Sequence, residues 1–174
     1  MGIQFETDYN METLTAMAKS LRKTVRRKRS RRVHIFAAVV LVLSILTILA
    51  TVAGGEPLGA SGVVTLLAML VVILVSLFED KLNAWFARKR LLPGTEHASA
   101  TFEEDGYVSA TGVTESRFSY AQIVAVAETA RYFVFALSSH HTQAYDKRTI
   151  RGGSVEDFRA FIAGKTGKLV EKIK

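Results

Sequence analysis

Two stretches of this chain contain no charged side chain: the 23 residues between Arg32 and Glu56, and the 22 between Glu56 and Glu79. A soluble domain has almost no use for two such runs, so the pattern predicts a membrane protein. The apolar segments read as 33–53 and 58–78. At about 21 residues and ~1.5 Å per residue, each gives ~32 Å of helix, against a hydrocarbon core of about 30 Å. Gly54, Gly55, Glu56 and Pro57 form the turn between them, which makes the two helices antiparallel neighbours in a transmembrane hairpin. The first run is longer than the 7–15 residues typical of a cleaved signal core, and a second span follows at once.

Charge is divided just as sharply. Residues 1–90 hold 13 Lys and Arg against 6 Asp and Glu, whereas residues 91–174 hold 10 of each. The basic excess behind the pI of about 9.8 therefore flanks the apolar runs, as a membrane protein's does, and does not form a nucleic-acid-binding face. Arg22, Lys23, Arg26, Arg27, Lys28, Arg29, Arg31 and Arg32 precede the first span; Lys81, Arg88, Lys89 and Arg90 follow the second; the turn carries only Glu56. Basic flanks stay on the cytoplasmic side, so both termini of this multi-pass protein are expected there. Neither span carries an acidic or basic residue, which argues against a pore or pump and for an anchor. The same cations, with Lys81 left aside, are candidate contacts to anionic lipid headgroups.

Residues 1–32 read as an amino-terminal arm. Ile3, Phe5, Thr7 and Tyr9 alternate with Gln4, Glu6 and Asp8 in a strand pattern, and Asn10 is placed to cap a helix over Met11–Ser30. Leu14, Met17, Ala18 and Leu21 give that helix an apolar stripe. Residues 79–94 read as an interfacial helix end and linker, with Leu82, Trp85 and Phe86 suited to the membrane surface before Pro93-Gly94 breaks the helix. Residues 95–174 form a small domain. Strand-like runs fall at 98–102, 107–111, 117–120, 123–128, 132–138 and 142–147, with Asp105-Gly106 as a hairpin signal. Ser154 and Asp157 then open an amphipathic helix carrying Phe158, Phe161 and Ile162, a face that Leu169, Val170 and Ile173 extend. The predicted fold is α+β: a two-helix hairpin plus a small antiparallel β domain with a C-terminal helix, the layout of a pleckstrin-homology-like sandwich.

Thr101-Phe102-Glu103-Glu104-Asp105-Gly106, Phe118-Ser119-Tyr120-Ala121-Gln122-Ile123, Lys147-Arg148, Ser154-Val155-Glu156-Asp157-Phe158 and Lys165-Thr166-Gly167-Lys168 stand behind a basic helix and a two-span hairpin. In this arrangement the chain resembles the YcxB-like family of bacterial membrane proteins. The resemblance implies a fold similar to bacterial pleckstrin-homology modules. It departs from the family's pattern at Asp146, where Pro is frequent, and at Tyr120, where Trp is frequent.

The absence of cysteine excludes disulfides, a thiol nucleophile and Cys-ligated zinc. His140-His141 reads as a solvated loop pair, and Glu103-Glu104-Asp105 as a solvated acidic run beside a turn glycine. Gly152-Gly153-Ser154 lacks the spacing of a phosphate-binding loop, and Gly164-Lys165-Thr166-Gly167 reads as a helix C-cap. No metal or other cofactor is expected. Lys147, Arg148 and Arg151 form a basic cluster that is a candidate partner-binding site. The function expected is non-enzymatic: a tethered domain that binds a lipid or protein partner at the membrane surface, with immunity or stress protection as one variant. The alternative is an auxiliary subunit of a transporter or secretion complex, packing through Gly59, Ala60, Ser61, Gly62 and Ala68.

Overall fold

The alternation at the amino terminus produces strand β1 (Ile3–Asp8) in the computed structural model, which describes residues 2–174. Its partner lies on the far side of both apolar runs. β1 pairs antiparallel with β2 (His97–Phe102), Ile3 opposite Phe102 and Asp8 opposite His97. β3 (Tyr107–Thr111) and β4 (Glu115–Phe118) complete a four-stranded antiparallel sheet in the order β1-β2-β3-β4. The arm assigned to 1–32 thus contributes an edge strand to the sheet of the 95–174 region, because Phe5 needs the apolar face that Ala100 and Phe102 provide.

A second sheet holds β5 (Ala125–Glu128), β6 (Tyr132–Ala136), β7 (Thr142–Asp146) and β8 (Val170–Lys172) in the order β7-β6-β5-β8. It is not the pure antiparallel meander expected, since β8 runs parallel to β5. The residues read as a continuation of the last helix form this strand instead. α5 (Val155–Thr166) opens with a capping box, in which Ser154 Oγ accepts from the Asp157 N–H at 3.0 Å, and it stops at Gly167, whose φ of 63° is left-handed. That turn sends Val170 beside Val126.

Three predicted strands come out shorter, at 125–128, 132–136 and 142–146, and the run at 117–120 shifts to 115–118. Tyr120 leaves the strand because its hydroxyl donates to the carbonyls of Glu103 (2.6 Å) and Gly106 (3.0 Å), anchoring a short 3-10 turn over Tyr120–Gln122. Between the sheets, the ring of Phe158 lies 4.7 to 5.0 Å from those of Phe5, Phe102 and Phe133, so α5 plugs the core. Burying these rings dominates the stability of the domain.

All five residues of β6 are buried, which requires cover on both faces of its sheet. The outer cover is α1 (Met11–Lys23), capped by Asn10 Oδ1, which accepts from the Glu12 and Thr13 N–H groups. Ala16 and Met17 pack on Tyr132, Val134, Ala127 and Ala144, and Thr13 Oγ1 lies 3.1 Å from Tyr132 Oη. The single helix expected over Met11–Ser30 is in fact interrupted. Thr24 departs from helical geometry at φ −105° and ψ −94°, its Oγ1 donates to Ser20 O at 2.7 Å, and Arg26 N–H reaches back to Leu21 O. The chain turns there from lying on the sheet to leaving it.

α2 (Arg27–Ala53) and α3 (Ala60–Leu77) are the two apolar helices, with no buried residue in either. They are about 40 and 27 Å long and joined at 54–59. Both are long and apolar enough to cross a membrane. Phe78 bends the path, and α4 (Glu79–Lys89) returns to pack on α1 with Ala84 fully buried.

Candidate functional site

The break at Thr24–Arg26 and the bend at Phe78 open a groove of about 630 Å³, with α1 as floor, the first turns of α2 and the length of α4 as walls, and the β6–β7 loop at its end. Helical spacing aims its side chains. Arg29 and Val33 share one face of α2 with Arg26 at its N-cap, and Phe86 shares one face of α4 with Arg90 at its C-cap. The floor is apolar, from Leu14, Met17 and Leu21.

Arg22 sits at the junction of the helices. Its Nε and Nη2 donate to the two carboxylate oxygens of Asp80 at 2.7 and 2.6 Å, and Glu79 lies 3.7 Å away. The Asp80 hydrogen bond holds the guanidinium above its ordinary range. Such a bidentate fork fixes the relative orientation of α1 and α4. Glu79 and Asp80 also occupy the first turn of α4, where the helix dipole favours acids. Arg26 is held from the other side: its Nε donates to Ser139 O at 2.6 Å and its Nη2 to His140 Nδ1 at 2.9 Å. Since the guanidinium is always the donor, Nδ1 accepts and the imidazole carries its proton on Nε2. Arg29 and Arg90 have no carboxylate within ion-pair distance among the described residues. Four arginines thus meet only the carboxylates of Glu79 and Asp80.

Of the cations expected to face headgroups, the structure gathers Arg22, Arg26, Arg29 and Arg90 in this groove. Lys23 Nζ donates to the backbone oxygen of Lys174, and Lys89 lies 3.6 Å above the Trp85 ring. Arg27, Lys28, Arg31, Arg32 and Arg88 are exposed. Trp85 and Phe86 are both exposed, their rings edge to face at 4.9 Å.

Lys147, Arg148 and Arg151 are each committed to a different carboxylate. Lys147 Nζ donates to Glu128 Oε1 (3.0 Å) and Thr129 O (2.7 Å), Arg148 reaches Asp146 at 3.0 Å, and Arg151 lies 3.4 Å from Glu6. Lys147 belongs to the interior ionic knot of the domain. There the buried Glu128 also accepts from Arg159 Nε and Nη2 at 2.7 and 2.8 Å, and these bonds, Arg159 first, pull its carboxyl down to about 2. Arg148 and Arg151 remain exposed.

Elsewhere several carboxylates are held in ion pairs. Glu103 meets Arg117 at 3.1 Å, Glu104 meets Lys165, and Glu12 meets Arg131, which also reaches Asp146. Among the described residues, no three His, Asp or Glu side chains converge as metal ligands would. The union of Arg26 with His140, 114 positions away, leaves no local signal in the sequence. The Glu79-Asp80 pair does leave one: it is the sole acidic step between an apolar helix and a basic one.

No curated protein and no solved structure matches this chain. Residues 102–162, from the last residue of β2 into α5, match the family model described as YcxB-like protein, and the chain accordingly carries a YcxB-like domain.

Proposed function

We propose that this chain is a non-enzymatic bacterial inner-membrane protein that displays a pleckstrin-homology-like domain on the cytoplasmic surface and binds an anionic partner there. α2 and α3 cross the bilayer as a hairpin. The pairing of β1 with β2 supports an even number of crossings, since the two flanks of the hairpin meet in one sheet. The eight cations ahead of the first apolar run and the lone acid in the turn favour the cytoplasm as that side.

The observation that carries the reading is the groove, in which four arginines outnumber two carboxylates where the domain meets its anchor. Two sheets with a helix in the opening between them support the pleckstrin-homology-like assignment. Anchoring confines the domain to the surface and raises its effective concentration toward anything already there.

A photo-crosslinking residue placed at Ala87, beside the groove, and a control at Glu171 on exposed β8 test this in cells. Adducts from position 87 that are absent from position 171 are expected, and equal yields from both overturn the reading. A stoichiometric integral-membrane protein captured through Gly59 or Gly62 of α3 replaces it with that of an auxiliary subunit.

A further inference from the structure

We infer that the groove is a binding site for the phosphate headgroup of an anionic phospholipid drawn from the surrounding leaflet, an inference that rests on the membrane reading above. Three observations converge on it. The first is chemical: guanidinium groups match phosphate oxygens with two parallel N–H bonds, and Arg29 and Arg90 both line the groove with no carboxylate to neutralise them among the described residues. Arg22 and Arg26 are already fixed by Asp80 and by Ser139 and His140, so they keep their orientation when an anion arrives and lose little side-chain freedom.

The second is the lining. A site for a free anion or an acidic peptide has no need of apolar walls, whereas this one is lined by the exposed Val33 and Phe86 over a floor of Leu14, Met17 and Leu21. The cavity, about 630 Å³, is large enough for a glycerophosphate group and the first methylenes of its chains. The third is position. Val33, the first apolar residue of α2, closes one wall, and His34 one step on approaches Glu79 at 3.5 Å. The groove therefore ends where the apolar hairpin begins, so acyl chains leaving it continue along α2 and α3. The His140 Nε2–H is left as a neutral donor at the loop end for a headgroup oxygen.

The test uses the full chain reconstituted in phosphatidylcholine vesicles holding a minority of phosphatidylglycerol, then extracted in mild neutral detergent and weighed intact by native mass spectrometry. Retention of phosphatidylglycerol over phosphatidylcholine by roughly tenfold is expected, and Arg29→Gln with Arg90→Gln should abolish it. The equally discharged Arg148→Gln/Arg151→Gln protein should keep it. Equal retention of the two lipids by the unaltered chain, equal losses in the two double variants, or displacement of the lipid by inorganic phosphate each overturns the inference. Carbonate washing of the same vesicles separates the two readings. A chain that stays in the bilayer without lipid preference defeats only the headgroup site, while a chain that washes off defeats the membrane reading as well. Unchanged near-ultraviolet dichroism from the buried tyrosines verifies that the variants are folded.

Discussion

Replacing Glu128 by Gln keeps the shape of the side chain and removes its charge, leaving Lys147 and Arg159 facing a neutral amide. The Glu128 side chain is only 7% exposed and accepts three hydrogen bonds, and its carboxyl falls from the ordinary 4.5 to about 2. At about 1.4 kcal/mol for each tenfold change in proton affinity, that is a ceiling of ~3 kcal/mol. Arg159 remains 30% exposed and is partly screened by water, so the expected cost at neutral pH is about 2 kcal/mol. For a domain of this size that lowers the melting temperature by ~10 °C. The sign with pH follows from the direction of the shift. A carboxyl held low stabilises the fold above its unfolded value, and the contribution disappears as pH falls from 4.5 towards 2. Thermal melts of the full chain in detergent, read by near-ultraviolet dichroism from the buried Tyr107, Tyr120, Tyr132 and Tyr145, measure both quantities. The gap between parent and Glu128→Gln should be widest near pH 7 and close as pH falls through 2, below which both side chains are neutral. A gap that stays constant across that range refutes the linkage, and no gap at pH 7 refutes the knot.

Three further outcomes are expected. Ser20 Oγ is buried without a hydrogen-bond partner among the described residues, so Ser20→Ala should raise stability by about 0.5–1 kcal/mol in the same melts. Gly152 has a φ of 82°, and a Cβ there would lie 2.6 Å from Gly2 O, so Gly152→Ala should cost about 2 kcal/mol and speed hydrogen exchange at Gln4, whose N–H bonds to Arg151 O. Asp80→Asn weakens the fork to Arg22 by about 1 kcal/mol and should hasten tryptic cleavage at Arg26–Arg27, a change that protection of that site as in the parent would contradict.

Much of this architecture is written locally. The two uncharged runs, the Asn10 cap, the Ser154–Asp157 box and Asp105-Gly106 each announce their element within a few residues. What stayed hidden depends on partners far along the chain. Tyr132–Ala136 is an unbroken apolar run, which signals a strand covered on both faces, but nothing in the run names α1 as the outer cover. The stripe of Leu14, Met17 and Leu21 is equally fit to meet lipid, a sheet or another helix, and the amino-terminal arm therefore read as a separate element. Val170 and Ile173 continue the spacing of α5, yet left-handed Gly167 diverts them into a strand whose register depends on Val126. The basic residues were visible as a class. Which of them stand free in the groove and which are tied down was decided by Asp80, Glu128 and His140, all far away in sequence.

The placement of the hairpin between two neighbouring strands has a mechanical consequence. Asp8 and His97 form the last pair of the β1–β2 ladder, bridged by an Asp8–His97 contact of 2.8 Å, with Tyr9 N–H donating to Glu96 O just beyond. Tension along α2 and α3 reaches both strands at this same end and loads the ladder like a zipper rather than in shear, so bonds open singly at low force. The Arg22–Asp80 fork lies upstream of that zipper and intercepts the load first. On the membrane reading proposed above, thinning or curvature of the bilayer that splays the helices is felt at the groove before it can unpick the sheet.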